Sequence, residues 1–142
     1  MTYNELIKEI QAILGSHGMI KTVKHTTVAE WLKRDSDPPL PVCCFDLVSG
    51  SLANGRQQVY NVQFFFLDKA GQEAEFETDV ISDQWQIAED IIQMLKSTRR
   101  DYYIDDLVTI NKISDKYEDY LAGVSMNINF NTQREFDACA TP

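Results

Sequence analysis

Residues 118–133 read EDYLAGVSMNINFNTQ, and the fold turns on how this stretch alternates. From Tyr120 onward every second residue is apolar: Tyr120, Ala122, Val124, Met126, Ile128 and Phe130. Between them stand Leu121 and Gly123, then Ser125, Asn127, Asn129 and Asn131. A period of two places these sets on opposite faces of a β-strand. One face is built for a core, and the other is a ladder of small, uncharged, hydrogen-bonding side chains.

Working outward, VYNVQFFFL (59–67) alternates in the same way, with Tyr60, Val62, Phe64 and Phe66 on one face. VCCFDLV (42–48) predicts the strand before it, with SGSLANG as the turn between them. Leu107–Ile113 predicts a third long strand, Tyr120–Asn131 a fourth, and Met19–His25 a short extra one. A capping box, Thr2 with Glu5, precedes Leu6, Ile7, Ile10, Ile13 and Leu14 at helical spacing, and Gly15 and Gly18 end that helix. Thr27 and Glu30 repeat the pattern before a short helix carrying Val28, Trp31 and Leu32, which DSDPPLP (35–41) terminates. EAEFET (73–78) reads as an irregular continuation of the second strand. Ser82 caps the clearest helix, running to about Thr98 with a stripe of Trp85, Ala88, Ile92 and Leu95 widened by Ile91. Hairpin-linked strands with helices between them predict an α+β fold. The expectation is one domain over residues 1–136 and a tail at 137–142. Its sheet is antiparallel or mixed, of about four strands, with two or three helices packed on one face.

With 142 residues, 44% of them hydrophobic, the chain is long enough to bury one ordinary core. No run approaches the roughly 18 apolar residues that span a bilayer, so no membrane association is expected. The net charge of −9 and pI near 4.6 argue against tight nucleic-acid binding, which phosphate contacts from Lys and Arg dominate. Three cysteines, two of them the adjacent Cys43 and Cys44, fit buried reduced thiols better than a disulfide framework.

Little in the sequence asks for catalysis. Cys43 or Cys44 with His17 or His25 would make a nucleophilic pair, yet no local signature surrounds either cysteine. Zinc-type spacing is missing, and the carboxylate pairs Asp105–Asp106 and Glu118–Asp119 read as solvated loop acids. No catalytic, metal or cofactor site is therefore expected. Tyr102, Tyr103, Tyr117 and Tyr120 cluster near the last strands and fit a protein interface better than a ligand site. A small non-catalytic ligand- or peptide-binding module is an alternative reading.

The order of elements resembles the tail-terminator and tail-completion (neck) proteins of tailed bacteriophages, in particular those of crAss-like phages. The resemblance is carried by NELIKEIQAIL (4–14), PLPVCCFDLVSGSL (39–52), VYNVQFFFLDKAG (59–71), ISDQWQIAEDIIQML (81–95) and DKYEDYLAGVSMNINFNTQREFDAC (115–139). It implies a structural virion protein, made in the host cytoplasm and assembled as a hexameric or dodecameric ring at the head–tail junction. There it would meet other neck, connector or tail-tube proteins and let DNA pass. On that reading Ser125, Asn127, Asn129 and Asn131 form a subunit interface or line the lumen, and Phe136 in the tail anchors on a neighbour. The loop SGSLANGRQQ (49–58) and the tail TQREFDACATP (132–142) are the docking elements.

Overall fold

Thr2 opens the first helix as its sequence requires. A computed structural model describes residues 2–28, 30, 40–52, 57–69, 74–97, 102–113 and 121–133. In it, Glu5 N–H donates to Thr2 Oγ1 at 3.3 Å and Thr2 N–H to Glu5 Oε2 at 3.2 Å. Helix α1 (Tyr3–Ser16) then buries Leu6, Ile7, Ile10, Ile13 and Leu14 along one face. It runs through Gly15 and stops where His17 turns to extended backbone.

Strand β1 (Thr22–His25) follows, shorter than the predicted Met19–His25. Lys21 and Thr22 N–H groups donate to Pro41 O and so seat β1 beside the start of β2 (Val42–Leu52). β2 turns back into β3 (Gln57–Lys69), and the next helix is α2 (Ala74–Ser97). Two short strands, β4 (Tyr102–Ile104) and β5 (Ile110–Ile113), lead to β6 (Leu121–Gln133).

Four further elements differ from expectation. α2 starts at Ala74, eight residues before Ser82, because Ala74, Glu75 and Glu77 are strong helix formers and the acids suit the helix N-terminus. Ser82 is an exposed residue inside it. β2 continues through Ser49–Leu52, with a register shift between Leu47 and Ser49, because β3 offers a full-length partner across the poor strand formers Ser and Gly. The single predicted strand at 107–113 is instead β5, and β4 stands apart from it at 102–104. The sheet therefore holds six strands, not about four.

Their order is β1-β2-β3-β6-β4, with β5 also against β6. β1 runs parallel to β2, and every other pairing is antiparallel. β3 and β6 pair along their full thirteen residues, from Gln57↔Gln133 to Lys69↔Leu121. α2 lies over β6 and β3, and α1 against β1.

The main core lies between sheet and helices. Its sheet side is Cys43 and Phe45, then Tyr60, Val62, Phe64 and Phe66, then Val124, Met126, Ile128 and Phe130, all buried. Both alternations read in the sequence thus face the helices. From α2 come Ile87, Ala88, Ile91, Ile92 and Leu95, whereas Trp85 sits at the rim. The i, i+4, i+7 spacing of 84, 88, 91 and 95 centres the buried face one residue away from Trp85. That geometry buries Gln84, only 1% exposed, with its Oε1 unpartnered among the described residues. An unsatisfied buried amide costs on the order of 1–3 kcal/mol. Gln84→Met should therefore raise thermal stability by about 1 kcal/mol, read as a higher melting temperature in calorimetry.

The opposite sheet face is divided. At one end Val28, Val42, Cys44, Leu67, Ile113 and Leu121 form a second, smaller buried cluster. The other end is polar.

Candidate functional site

That polar end is built by register. Alternation in β6 places Ser125, Asn127, Asn129 and Asn131 on the face away from the helices, opposite Phe65, Gln63, Asn61 and Val59 of β3. The four predicted residues do share one face, but they are not equivalent. Asn127 is exposed, Ser125 and Asn129 are half-buried and Asn131 is buried. Phe136 lies outside the described residues.

Hydrogen bonds explain the gradient. Asn61 Nδ2 donates to Asn129 Oδ1 at 2.7 Å, and Asn129 Nδ2 donates to Asp105 Oδ2 at 3.0 Å. Asn131 Nδ2 donates to Asp105 Oδ1 at 3.2 Å and to Tyr103 O at 3.3 Å. The Asp105 carboxylate accepts one amide on each oxygen, so the chain of bonds runs from β3 through β6 to the segment after β4. Charge-assisted bonds of this kind outweigh neutral ones. Asn129 and Asn131 are thus committed to joining strands, and Asn127 and Ser125 are the rungs turned outward. The sequence ladder carried no sign of this, because Asp105 lies twenty-four residues from Asn129 and meets it only through the sheet.

The tyrosine cluster splits between faces. Tyr102 packs edge-on against Phe130 in the main core, with ring centroids 5.3 Å apart. Tyr103 is exposed on the polar face and accepts a hydrogen bond from Gln57 Nε2 at 3.1 Å. Tyr117 and Tyr120 lie outside the described residues.

The cysteines and histidines sit in separate structural roles. Cys43 belongs to the helix-side core and Cys44 to the smaller cluster, on opposite faces as adjacent strand residues must be. Burial pushes both thiols up, Cys44 from the usual 9.0 to about 12, so neither supplies a thiolate near neutral pH. His25 stacks on Phe45 at 5.0 Å and hydrogen-bonds Tyr3 Oη at 3.1 Å. His17 Nδ1 accepts from Met19 N–H, which leaves Nε2 to donate to Asp90 Oδ2 at 3.0 Å. Among the described residues no three His, Cys, Asp or Glu side chains gather as a metal site.

The thiols carry a pH prediction. Their folded pKa values lie above the unfolded ones, so the unfolded chain releases these protons first as pH rises. The stability they confer is full below about 9 and falls as pH rises above it, the share from Cys44 being lost between about 9 and 12. Each thiol steepens the loss by about 1.4 kcal/mol per pH unit in that window. Tyr3, raised by burial and by the Asp46 carboxylate, acts in the same direction. Urea midpoints should therefore fall sharply from pH 8.5 to pH 10.5. A Cys43→Ala/Cys44→Ala variant should show a flatter decline.

The remaining surface feature is the β2–β3 hairpin. β1 pairs only with Val42–Phe45 of β2, so from Asp46 to Leu52 its outer side has no partner strand among the described residues. The first four residues of β2 are buried, and everything from Val48 to Leu52 is exposed. Val48–Leu52 is thus an exposed sheet edge, backed on its inner side by β3, which β6 pairs down to Gln57.

Among the described residues no helix is long and apolar enough to cross a membrane. No protein-family model matches the chain, and no curated protein matches it.

Proposed function

We propose that this chain is a non-catalytic structural subunit of a tailed-bacteriophage virion. It forms a ring at the head–tail junction that joins tail to head and leaves a passage for DNA. The observation that carries this reading is the two-faced sheet with its open β2 edge. One face is sealed by α1 and α2, while the other presents Asn127, Ser125 and Tyr103 beside a hairpin exposed from Val48 to Leu52. A ring subunit needs this division: a rigid body, a surface for its neighbour and an open edge for the next component. The outward Asn127 amide and Ser125 hydroxyl bond to a partner or to water without the desolvation cost of buried charge. A net charge of −9 makes a wall that repels phosphate and lets DNA slide past.

The test is the solution mass by light scattering from micromolar to millimolar concentration, with negative-stain images of any large species. A discrete hexamer or dodecamer with a central hole supports the ring. A monomer at every concentration removes it and brings forward the binding-module alternative.

A further inference from the structure

The backbone of β2 is itself an interaction surface. β1 covers its outer side only as far as Phe45, and Leu47 N–H donates to Asp46 Oδ1 at 2.9 Å. From Val48 to Leu52 the outer row of N–H and C=O groups has no partner strand among the described residues. Such a row is a template for another strand, and proteins blunt it with lysines, prolines, inward charges or bulges. Of these devices β2 has only the register shift between Leu47 and Ser49. No charged residue or proline stands from Leu47 to Leu52, in a chain of net charge −9. Val48 and Leu52 are 56% and 64% exposed, large apolar side chains in water.

The order of residues along this edge says which strand fits it. Val48, Ser49, Gly50, Ser51 and Leu52 read apolar, Ser, Gly, Ser, apolar in either direction. Two antiparallel copies related by a two-fold axis at Gly50 therefore set like against like. Gly50 faces Gly50, each Ser49 faces a Ser51, and each Val48 faces a Leu52. Directly opposite residues must share a face, and strand alternation puts 48, 50 and 52 on one face and 49 and 51 on the other. Across such a pair serines exchange hydrogen bonds and apolar side chains cover each other.

Charge and space permit the same arrangement. Asp46 is the nearest charged residue, four positions from the axis, so the two carboxylates stand about 26 Å apart along the strands. β1 ends beside Phe45, whereas Leu52 of the second copy comes opposite Val48, so the two strands do not compete for the edge.

We infer that β2 pairs edge to edge with β2 of a second copy, antiparallel and centred on Gly50, joining two six-stranded sheets into one. A contact between identical patches is isologous and joins copies in pairs, whereas a ring closes through a heterologous one. The edge is thus a separate interface from the one that closes the ring. It deepens the ring reading, and rests on it, by naming the next component: a second ring of the same chain. Each edge contact is short, and between two rings the contacts act together.

Light scattering on the wild type, on Val48→Glu/Leu52→Glu and on Val48→Lys/Leu52→Glu tests the pairing. Both positions are exposed, and circular dichroism verifies that the variants fold. Across the axis the first variant sets glutamate against glutamate and should halve the wild-type mass, from dodecamer to hexamer. The second sets lysine against glutamate and should keep the wild-type mass. An unchanged mass in the first variant, or equal dissociation of both, overturns the pairing. A wild-type hexamer also overturns it and leaves the ring standing. A wild-type dimer that the first variant splits keeps the pairing and overturns the ring. A wild type that is monomeric at every concentration overturns both.

Discussion

Gly123→Ala is expected to destabilise the protein by about 3–5 kcal/mol, lowering its melting temperature by roughly 10–20 °C. A Cβ on Gly123 would lie 1.8 Å from the Phe66 carbonyl oxygen, 2.9 Å from its carbon and 3.1 Å from Leu67 Cα. These are backbone atoms of β3, a strand paired on both sides, so none can retreat without breaking the register that joins β2, β3 and β6. Glycine inside a strand ordinarily weakens it, and its presence here reflects a close approach that no other residue allows. Gly15→Ala is the control. Nothing lies within 4 Å of its added Cβ, and the site is helical, so a gain of about 0.5–1 kcal/mol should follow. Calorimetry on the pair decides the matter, and equal stability of Gly123→Ala and wild type would refute the β3–β6 contact as described.

The second large effect is expected at Phe64. Its ring is fully buried and lies 5.9 Å from Phe45, 6.3 Å from Phe66 and 6.3 Å from Phe130, centroid to centroid. One side chain thus couples three strands, β2, β3 and β6, beneath the helices. Truncation to alanine removes the buried ring and leaves a cavity, a change that costs about 3–5 kcal/mol. Each lost ring pair adds up to about 1 kcal/mol. Phe64→Leu should recover more than half of the loss by refilling most of the volume. Chemical denaturation should show a lower midpoint with little change in slope for both variants. A loss below about 1 kcal/mol for the alanine variant would mean that the ring stack does not organise the core.

The parts of this fold legible in the sequence are those whose signal is local and repeated. The Thr2–Glu5 capping box and the two alternating strands state their own geometry, and the helix-facing sets at 60–66 and 124–130 were readable residue by residue. The α2 start was hidden because EAEFET mixes alternation with good helix formers, and only the tertiary setting decides between them. β4 escaped because three residues carry no periodicity. Its identity comes from pairing Tyr102–Ile104 with Phe130–Thr132, a contact across nearly thirty residues. The polar face was legible as a row of asparagines, but the division between committed and outward rungs depends on Asp105. Trp85 read as a core residue, and its place at the rim follows from the one-residue rotation that buries Gln84 in its stead.

The pairing of Gln57 with Gln133 also has a consequence for how the protein is made. The β2–β3 hairpin is complete early in translation, yet β6, the strand at the middle of the sheet, leaves the ribosome after every other element described. Until then Phe64 and Phe66 have β2 on one side and no strand on the other. Closing a loop of some seventy residues before contacts reward it slows folding toward the millisecond-to-second range. The nascent chain therefore carries an open strand edge through most of its synthesis, which makes the interval before Leu121–Gln133 emerges the period of greatest exposure to chaperones and to aggregation.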